Sequence, residues 1–279
     1  MKSKKFIFLI CVILAVSAIY LYWGNNSITV SEYSVYPQNL PQSFDGYRIV
    51  QISDLHNKDF GSELPERIEK LNPDIIVITG DIIDSRRTKT EISEEFINNI
   101  CKIAPIYYVT GNHEKRIGEY EEFKIKTEQA GVCVLEGETV TLTENDEEIC
   151  LAGIDDLNFF GSHILDEDKI AFSEKLKEIK AKTEGKTSIL LSHRPELFEI
   201  YAENSFDVVF SGHAHGGQIR LPFIGGMYSP SEGFFPKYTQ GVYESGKTSM
   251  IVSRGLGNSL FPFRIGNRPE IVVCELKGK

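Results

Sequence analysis

What this 279-residue chain has little of narrows its reading first. It has one tryptophan, five cysteines and six histidines, and no CxxC pair occurs among the cysteines. Outside the N-terminal segment, Cys101, Cys133, Cys150 and Cys274 stand far apart, which is not the spacing of a disulfide framework or of a structural zinc site. They read as buried apolar thiols. A basic stripe is also missing: 30 Lys and Arg face 40 Asp and Glu, for a formal charge of −10, and the cations are dispersed. Proteins that bind duplex nucleic acid release counterions through a basic face, so this balance argues against nucleic acid as a partner. No internal repeat or low-complexity tract occurs, and the only linker candidate is residues 24–30. One globular domain is therefore the expected unit.

Long hydrophobic runs are scarce too, with one exception. Lys2, Lys4 and Lys5 precede "FIFLICVILAVSAIYLYW", an uncharged run from Phe6 to Trp23. As a helix it would span about 27 Å, close to the hydrocarbon thickness of a bilayer. Tyr20, Tyr22 and Trp23 stand where an interfacial aromatic belt would lie. A single transmembrane anchor is expected. The alternative is a secretory signal cleaved after the small residues Val16, Ser17 and Ala18, but the run stays apolar past the point where a cleavage region turns polar. No Lys or Arg follows until Arg48, so the N-terminus is expected in the cytoplasm and the remainder outside it, held at the cell membrane or secreted after cleavage. The expected partition is residues 1–24 as anchor or signal peptide, 25–44 as linker and first strand, and 45–279 as the catalytic domain.

In that remainder, apolar stretches repeatedly end at polar residues. Tyr47–Ile52 runs into Asp54, "PDIIVITGD" into Gly80-Asp81, "APIYYVTGNHE" into Gly111-Asn112-His113, "TSILLSHRPE" into His193, and "FDVVFSGHAH" into His213 and His215. Residues 63–71, 91–101, 119–130 and 166–182 show helical spacing of apolar positions between them. Such alternation predicts an α/β fold with its site along the C-terminal edge of the strands. Residues 132–154 and the C-terminal stretch read instead as consecutive strands. The expected architecture is therefore two facing, mostly mixed sheets flanked by helices, not one parallel sheet.

Five of the six histidines stand at these strand ends; His163 lies outside every block and reads as a structural or surface residue. In extended backbone residues i and i+2 point the same way, so Asp54 with His56, and His213 with His215, would each offer two ligands to one cavity. Two such pairs suggest two metals. The glycines Gly80, Gly111 and Gly212 are expected to supply turns that other residues resist. Carboxylate, carboxamide and imidazole together suit Mn²⁺, Fe²⁺ or Zn²⁺, and the set contains no thiolate.

In order, DxH, GDxxD, GNHE, an isolated histidine after a strand, and GHxH resemble the calcineurin-like metallophosphoesterase superfamily over nearly everything after residue 45. The resemblance implies a four-layer sandwich and two divalent ions, one bound by Asp54, His56 and His215 and the other by Asn112, His193 and His213. Asp81 would bridge them, a hydroxide held between the metals would be the nucleophile, and His113 would face the substrate. His113 would protonate the leaving oxygen or stabilise its charge, with Asp84 holding the imidazole; the alternative for Asp84 is a helix-cap or turn residue. Phosphoprotein phosphatases of the superfamily read GDxxDRG, whereas this chain reads GDIIDSR, with Ser85 in place of the arginine, which argues against phosphoprotein substrates. "GHAHGGQIRLP" and "GLGNSLFPFRIGNRPEI" resemble a membrane-associated bacterial branch containing phosphodiesterases and enzymes that cleave lipid-linked pyrophosphates. The expected activity is hydrolysis of phosphodiester or pyrophosphate bonds in a phosphorylated small-molecule, lipid or envelope substrate. The alternatives are a phosphomonoesterase, a nuclease, and a metal-binding module without turnover. The aromatic, Gly- and Pro-rich residues 225–238 read either as a loop facing substrate or membrane or as an irregular packed loop.

Overall fold

The computed structural model describes residues 2–161, 166–230, 232–258 and 261–278; His163 lies outside them. The chain opens with helix α1 (Lys2–Asn26) and strand β1 (Thr29–Val35), then runs through β2 (Arg48–Ile52), α2 (Glu63–Lys70), β3 (Ile75–Thr79), α3 (Thr90–Ile100) and β4 (Ile106–Val109). Next come α4 (Tyr120–Gln129), β5 (Cys133–Val134), β6 (Thr139–Glu144), β7 (Glu147–Gly153), α5 (Asp166–Ala181), β8 (Ser188–Leu191), α6 (Phe198–Glu203) and β9 (Val208–Ser211). Two small hairpins follow, β10 (Arg220–Leu221) with β11 (Gly225–Gly226) and β12 (Tyr228–Ser229) with β13 (Gly233–Phe234). The chain closes with β14 (Gly241–Ser245), β15 (Thr248–Val252) and β16 (Glu270–Leu276).

Two six-stranded sheets result, ordered β1-β16-β2-β3-β4-β5 and β14-β15-β9-β8-β7-β6. Neighbouring pairs from β2 through β5 are parallel, as are those joining β7, β8, β9 and β15. Alternation along each strand splits its side chains between two faces. Ile49, Val77, Leu151, Leu191 and Phe210 fill the space between the sheets. Their neighbours Val50, Ile76 and Ile78 pack under α2, α3 and α4, while Ala152, Leu190 and Val209 pack under α5 and α6. Strands covered on both faces are buried throughout, as in β3 and β8, and each large apolar side chain so placed contributes roughly 1.5–3 kcal/mol. The result is the expected sandwich of helix, sheet, sheet and helix.

The hairpin between β6 and β7 turns at Asn145 and Asp146, with φ of 48° and 67°, a geometry that suits these two residue types. The sequence reading does not anticipate α6 or the hairpins over residues 220–234. All five cysteines are thiols, with Cys150 and Cys274 buried.

Helix α1 contains an 18-residue window of mean hydropathy 2.5, and none of that window is buried. By length and composition it is able to cross a membrane. Its last turn, in contrast, is fastened to the domain. The Gly266 amide donates to the Tyr20 hydroxyl at 3.1 Å, the Arg268 guanidinium lies 4.7 Å over the Trp23 ring, and Asn258 Nδ2 donates to Asn25 Oδ1 at 2.9 Å.

Candidate metal centre

Because the parallel strands of both sheets end on one edge, their final residues converge there. One sheet delivers Asp54 and His56 after β2, Asp81 after β3, and Asn112 and His113 after β4. The other delivers His193 after β8, and His213 and His215 after β9. His56 Nε2 lies 3.1 Å from His215 Nε2, which is 3.3 Å from Asp54 Oδ1. Across the site His193 Nε2 lies 3.1 Å from His213 Nδ1. Asp81 Oδ2 stands between the two groups, 3.7 Å from His56 Nε2 and 3.3 Å from His193 Nε2.

The backbone that achieves this convergence is not the extended one that alternation implies. Asp54, His56, Asp81, His213 and His215 have φ of 51°, 49°, 51°, 62° and 47°. A left-handed backbone at a residue with a Cβ costs roughly 1–2 kcal/mol, so five such residues mark a strained edge. Asp54 and His56 do meet in one group, as the spacing implies, but His213 and His215 part. His213 gathers with Asp81 and His193, whereas His215 gathers with Asp54 and His56. The glycines also divide by role. Gly80 has φ of 88° and is needed for its conformation, as expected, and for space as well, since a Cβ there would lie 2.6 Å from the Gly111 nitrogen. Gly111 and Gly212 are needed for space: a Cβ at Gly111 would lie 2.3 Å from Asp81 Oδ1, and one at Gly212 would lie 1.9 Å from Ser53 Oγ.

The donor set fits divalent cations. Burial holds the His56 imidazole neutral, down to about 3 despite the nearby Asp81 carboxylate. Burial likewise pushes His213 and His215 well below the usual range, helped by neighbouring cationic groups, so their lone pairs are free. His193 differs from these three. Burial opposes its charge, but Asp81 outweighs burial and pushes it up to about 10. His193 Nδ1 is fixed by the Thr79 carbonyl at 2.7 Å, which aims Nε2 at Asp81 as an outer hydrogen bond does for a metal-binding histidine. Asn112 joins the second group: its Nδ2 donates to His213 Nδ1 at 3.0 Å, and its Oδ1 accepts from the Arg116 guanidinium at 3.2 Å.

His113 lines a cavity of about 470 Å³ over this cluster, together with Asp81, Asn112, His213, His215 and Arg86. Its Nδ1 accepts from the Ser85 amide at 3.0 Å, while Asp84 Oδ1 lies 3.4 Å away. The shorter bond makes Nδ1 an acceptor and leaves the proton on Nε2. Asp84 is instead gripped by Arg86, through Nε at 2.8 Å, Nη2 at 3.0 Å and the backbone amide at 3.0 Å. It is both a turn residue and a carboxylate beside the histidine.

Sequence reasoning missed several residues that build the site. Glu114 is fully buried, and its carboxylate accepts from the amides of Gly111 at 2.7 Å, Asp81 at 3.0 Å and Ile83 at 3.2 Å, tying two ligand loops together. Burial and the Asp81 charge push it up to about 7. Arg194, next to His193, forms a buried fork with Asp156 at 2.7 and 3.1 Å and reaches the cavity. Arg264 is not a surface arginine; it is 2% exposed and donates to the carbonyls of Gly257, Arg254 and Asn267. The acid closing GNHE and the arginine of "SHRP" were visible signals for the first two.

Residues 47–217 match the calcineurin-like phosphoesterase family. The uncharacterised metallophosphoesterase YkuE of Bacillus subtilis is 33% identical over 92% of this chain and 88% of its own length. The phosphodiesterase YaeI of Escherichia coli is 25% identical over 82% of each chain. A transmembrane protein with a metallophosphoesterase domain from Danio rerio is 31% identical over 86% of this chain and 55% of its own length. Strand-end histidines, carboxylates and a carboxamide, held by two facing sheets and matched by these relatives, lead to one assignment: the chain belongs to the calcineurin-like phosphoesterase family and is a phosphoester hydrolase.

Proposed function

We propose that this protein is a membrane-anchored phosphodiesterase that uses two divalent ions, of Mn²⁺, Fe²⁺ or Zn²⁺ type, on phosphodiester or pyrophosphate bonds of lipid or envelope substrates. The observation that supports it most is the place of Asp81, whose Oδ2 stands within 3.7 and 3.3 Å of nitrogens from two separate ligand groups. Asp54, His56 and His215 would hold one ion, Asn112, His193 and His213 the other, and Asp81 both. Such ions supply an acidified water and neutralise charge on phosphoryl oxygens. Ser53 Oγ, donating to Asp54 Oδ2 at 2.6 Å, keeps that carboxylate turned toward the site. His113, with its proton on Nε2, donates a hydrogen bond to the leaving oxygen and stabilises the charge that develops there. Arg86 and Arg116 at the cavity rim orient the phosphoryl group.

The anchor is α1, with Lys2, Lys4 and Lys5 on its cytoplasmic side and the domain from residue 27 on the other side. The descriptions of the Danio rerio and Escherichia coli relatives support membrane attachment and diester substrates respectively. The test compares bis-p-nitrophenyl phosphate with p-nitrophenyl phosphate across Mn²⁺, Mg²⁺ and Zn²⁺. The diester is expected to be preferred, and His113→Ala is expected to lower its turnover by about 100-fold with bound metal unchanged. Preference for the monoester overturns the diester reading, and loss of metal in His113→Ala overturns the hydrogen-bond role.

A further inference from the structure

A second cavity, of about 510 Å³, lies on the other side of the Arg86–Asp84 ion pair from the cavity just described. His56 forms part of its wall, so it abuts the metal centre. Lys58, Arg87 and Lys89 bring three cations to it, in a chain whose formal charge is −10. Arg86 is held by Asp84, but among the described residues Lys58, Arg87 and Lys89 have no carboxylate partner. Like charges gathered around one space without counterions repel, and an anion in that space relieves the repulsion.

The same cavity reaches the segment that fastens the apolar helix. Asn258 and Pro262 line it; Asn258 bonds to Asn25 in the last turn of α1, and Lys58 donates to the Asn25 carbonyl. Flanking Pro262 in the chain, Phe261 and Phe263 are 39% and 42% exposed, so the segment that closes the basic cavity also presents aromatic rings to its surroundings. That combination suits the boundary between lipid headgroups and acyl chains. Arg86 lines both cavities, which puts a guanidinium between the metal centre and the basic cluster.

We propose that this cavity is a second anion subsite. It receives one phosphate group of a membrane lipid substrate while the adjoining, scissile phosphoryl group lies against Asp81 and His215, so the substrate class is a lipid carrying two linked phosphates. This rests on the membrane-anchored reading given above, and Arg86 would contact both phosphates.

The test uses the full-length protein and the double variant Arg87→Ala/Lys89→Ala, which changes two exposed residues outside the proposed catalytic set. Three measurements are made: hydrolysis of CDP-diacylglycerol in phosphatidylcholine vesicles, hydrolysis of soluble bis-p-nitrophenyl phosphate, and calorimetric binding of inorganic pyrophosphate. The variant is expected to lose about tenfold in kcat/KM on the vesicles, mainly through KM, and about tenfold in pyrophosphate affinity. Turnover of bis-p-nitrophenyl phosphate is expected to stay within about twofold of wild type. Unchanged vesicle and pyrophosphate results overturn the subsite, as does an equal loss on bis-p-nitrophenyl phosphate. Weakened pyrophosphate binding with unchanged vesicle turnover overturns the lipid as the occupant and leaves a soluble phosphate. Failure of the anchor reading would show separately, as wild-type protein that binds pyrophosphate but does not partition to vesicles.

Discussion

Along β3, Ile75 to Thr79 are fully buried, apolar until the last residue, and extended; two positions later Asp81 is equally buried, charged, and bent to a φ of 51°. The same change occurs from Phe210 to His213 at the end of β9. Strand bodies are built of side chains that need only to be apolar and of suitable volume. Strand ends are built of groups that the body would reject. Polar atoms there lack water, backbones are left-handed, and carboxylates crowd each other. Two facing sheets with three apolar layers are stable enough to hold such an edge, and strain of this kind is kept where function needs it.

The largest expected effect separates the two regions most sharply. Asp81→Asn keeps the shape of the side chain but removes the charge that both ligand groups share. Diester turnover is expected to fall by about three orders of magnitude, while the thermal midpoint stays within a few degrees of wild type. The counterpart in a strand body is Leu190→Ala, from the layer under α5 and α6. It is expected to cost about 2–5 kcal/mol of stability with turnover per folded molecule unchanged. A midpoint drop in Asp81→Asn as large as that of Leu190→Ala would break the comparison, because the edge would then be part of the scaffold.

Gly212→Ala tests the junction itself. It follows β9 directly, and a Cβ there would meet Ser53 Oγ at 1.9 Å and Asp54 Oδ2 at 2.4 Å. The hydrogen bond between those two side chains would have to open, turning the Asp54 carboxylate from His215. Metal retained after dialysis is expected to fall about tenfold, with a smaller loss of thermal stability than Leu190→Ala. Full metal retention would show that Asp54 is free to move and that the edge is less tightly built than its distances imply.

The legible part of the molecule was the part that repeats. Apolar strands, helical spacing and the polar residues after each strand were enough to give two facing sheets and to name the residues that meet at their edge. The turn at Asn145 and Asp146 is legible for a local reason, since both types suit positive φ. What stayed hidden depends on neighbours far along the chain. That His213 and His215 face different groups through bent backbone cannot be read from an i, i+2 spacing. Gly111 and Gly212 looked like conformational glycines because the side chains they make room for, Asp81 and Ser53, come from other strands. Arg264 is hidden in the same way: arginine is ordinarily in water, whereas three carbonyls hold this one inside. The basic cavity draws Lys58, Arg87 and Asn258 from separate segments, and no stretch of sequence carries its charge.

The smallest effect at the metal centre sharpens the comparison from the side of the edge that holds no candidate ligand. Asp155 follows β7, and Thr110 Oγ1 donates to its Oδ1 at 2.8 Å. Burial pushes its carboxyl up to about 7. An unfolded aspartate titrates near 4, so between about pH 4 and 7 the folded chain keeps a proton that the unfolded chain releases. Stability from this group therefore falls as pH rises through that window and is level above it. Asp155→Asn keeps an oxygen for Thr110 and removes the titration. The variant is expected to be more stable than wild type by up to about 4 kcal/mol at pH 8, an advantage that shrinks toward zero near pH 4. Thermal melts of both proteins across that range measure the difference, in which titration of the shared histidines and carboxylates cancels. If the difference is flat with pH, the Asp155 charge has a cationic partner in solution, and even this part of the edge is organised around charge. If it rises as expected, burial alone does not make a strand-end carboxylate functional, and what distinguishes Asp81 is the set of lone pairs turned toward it.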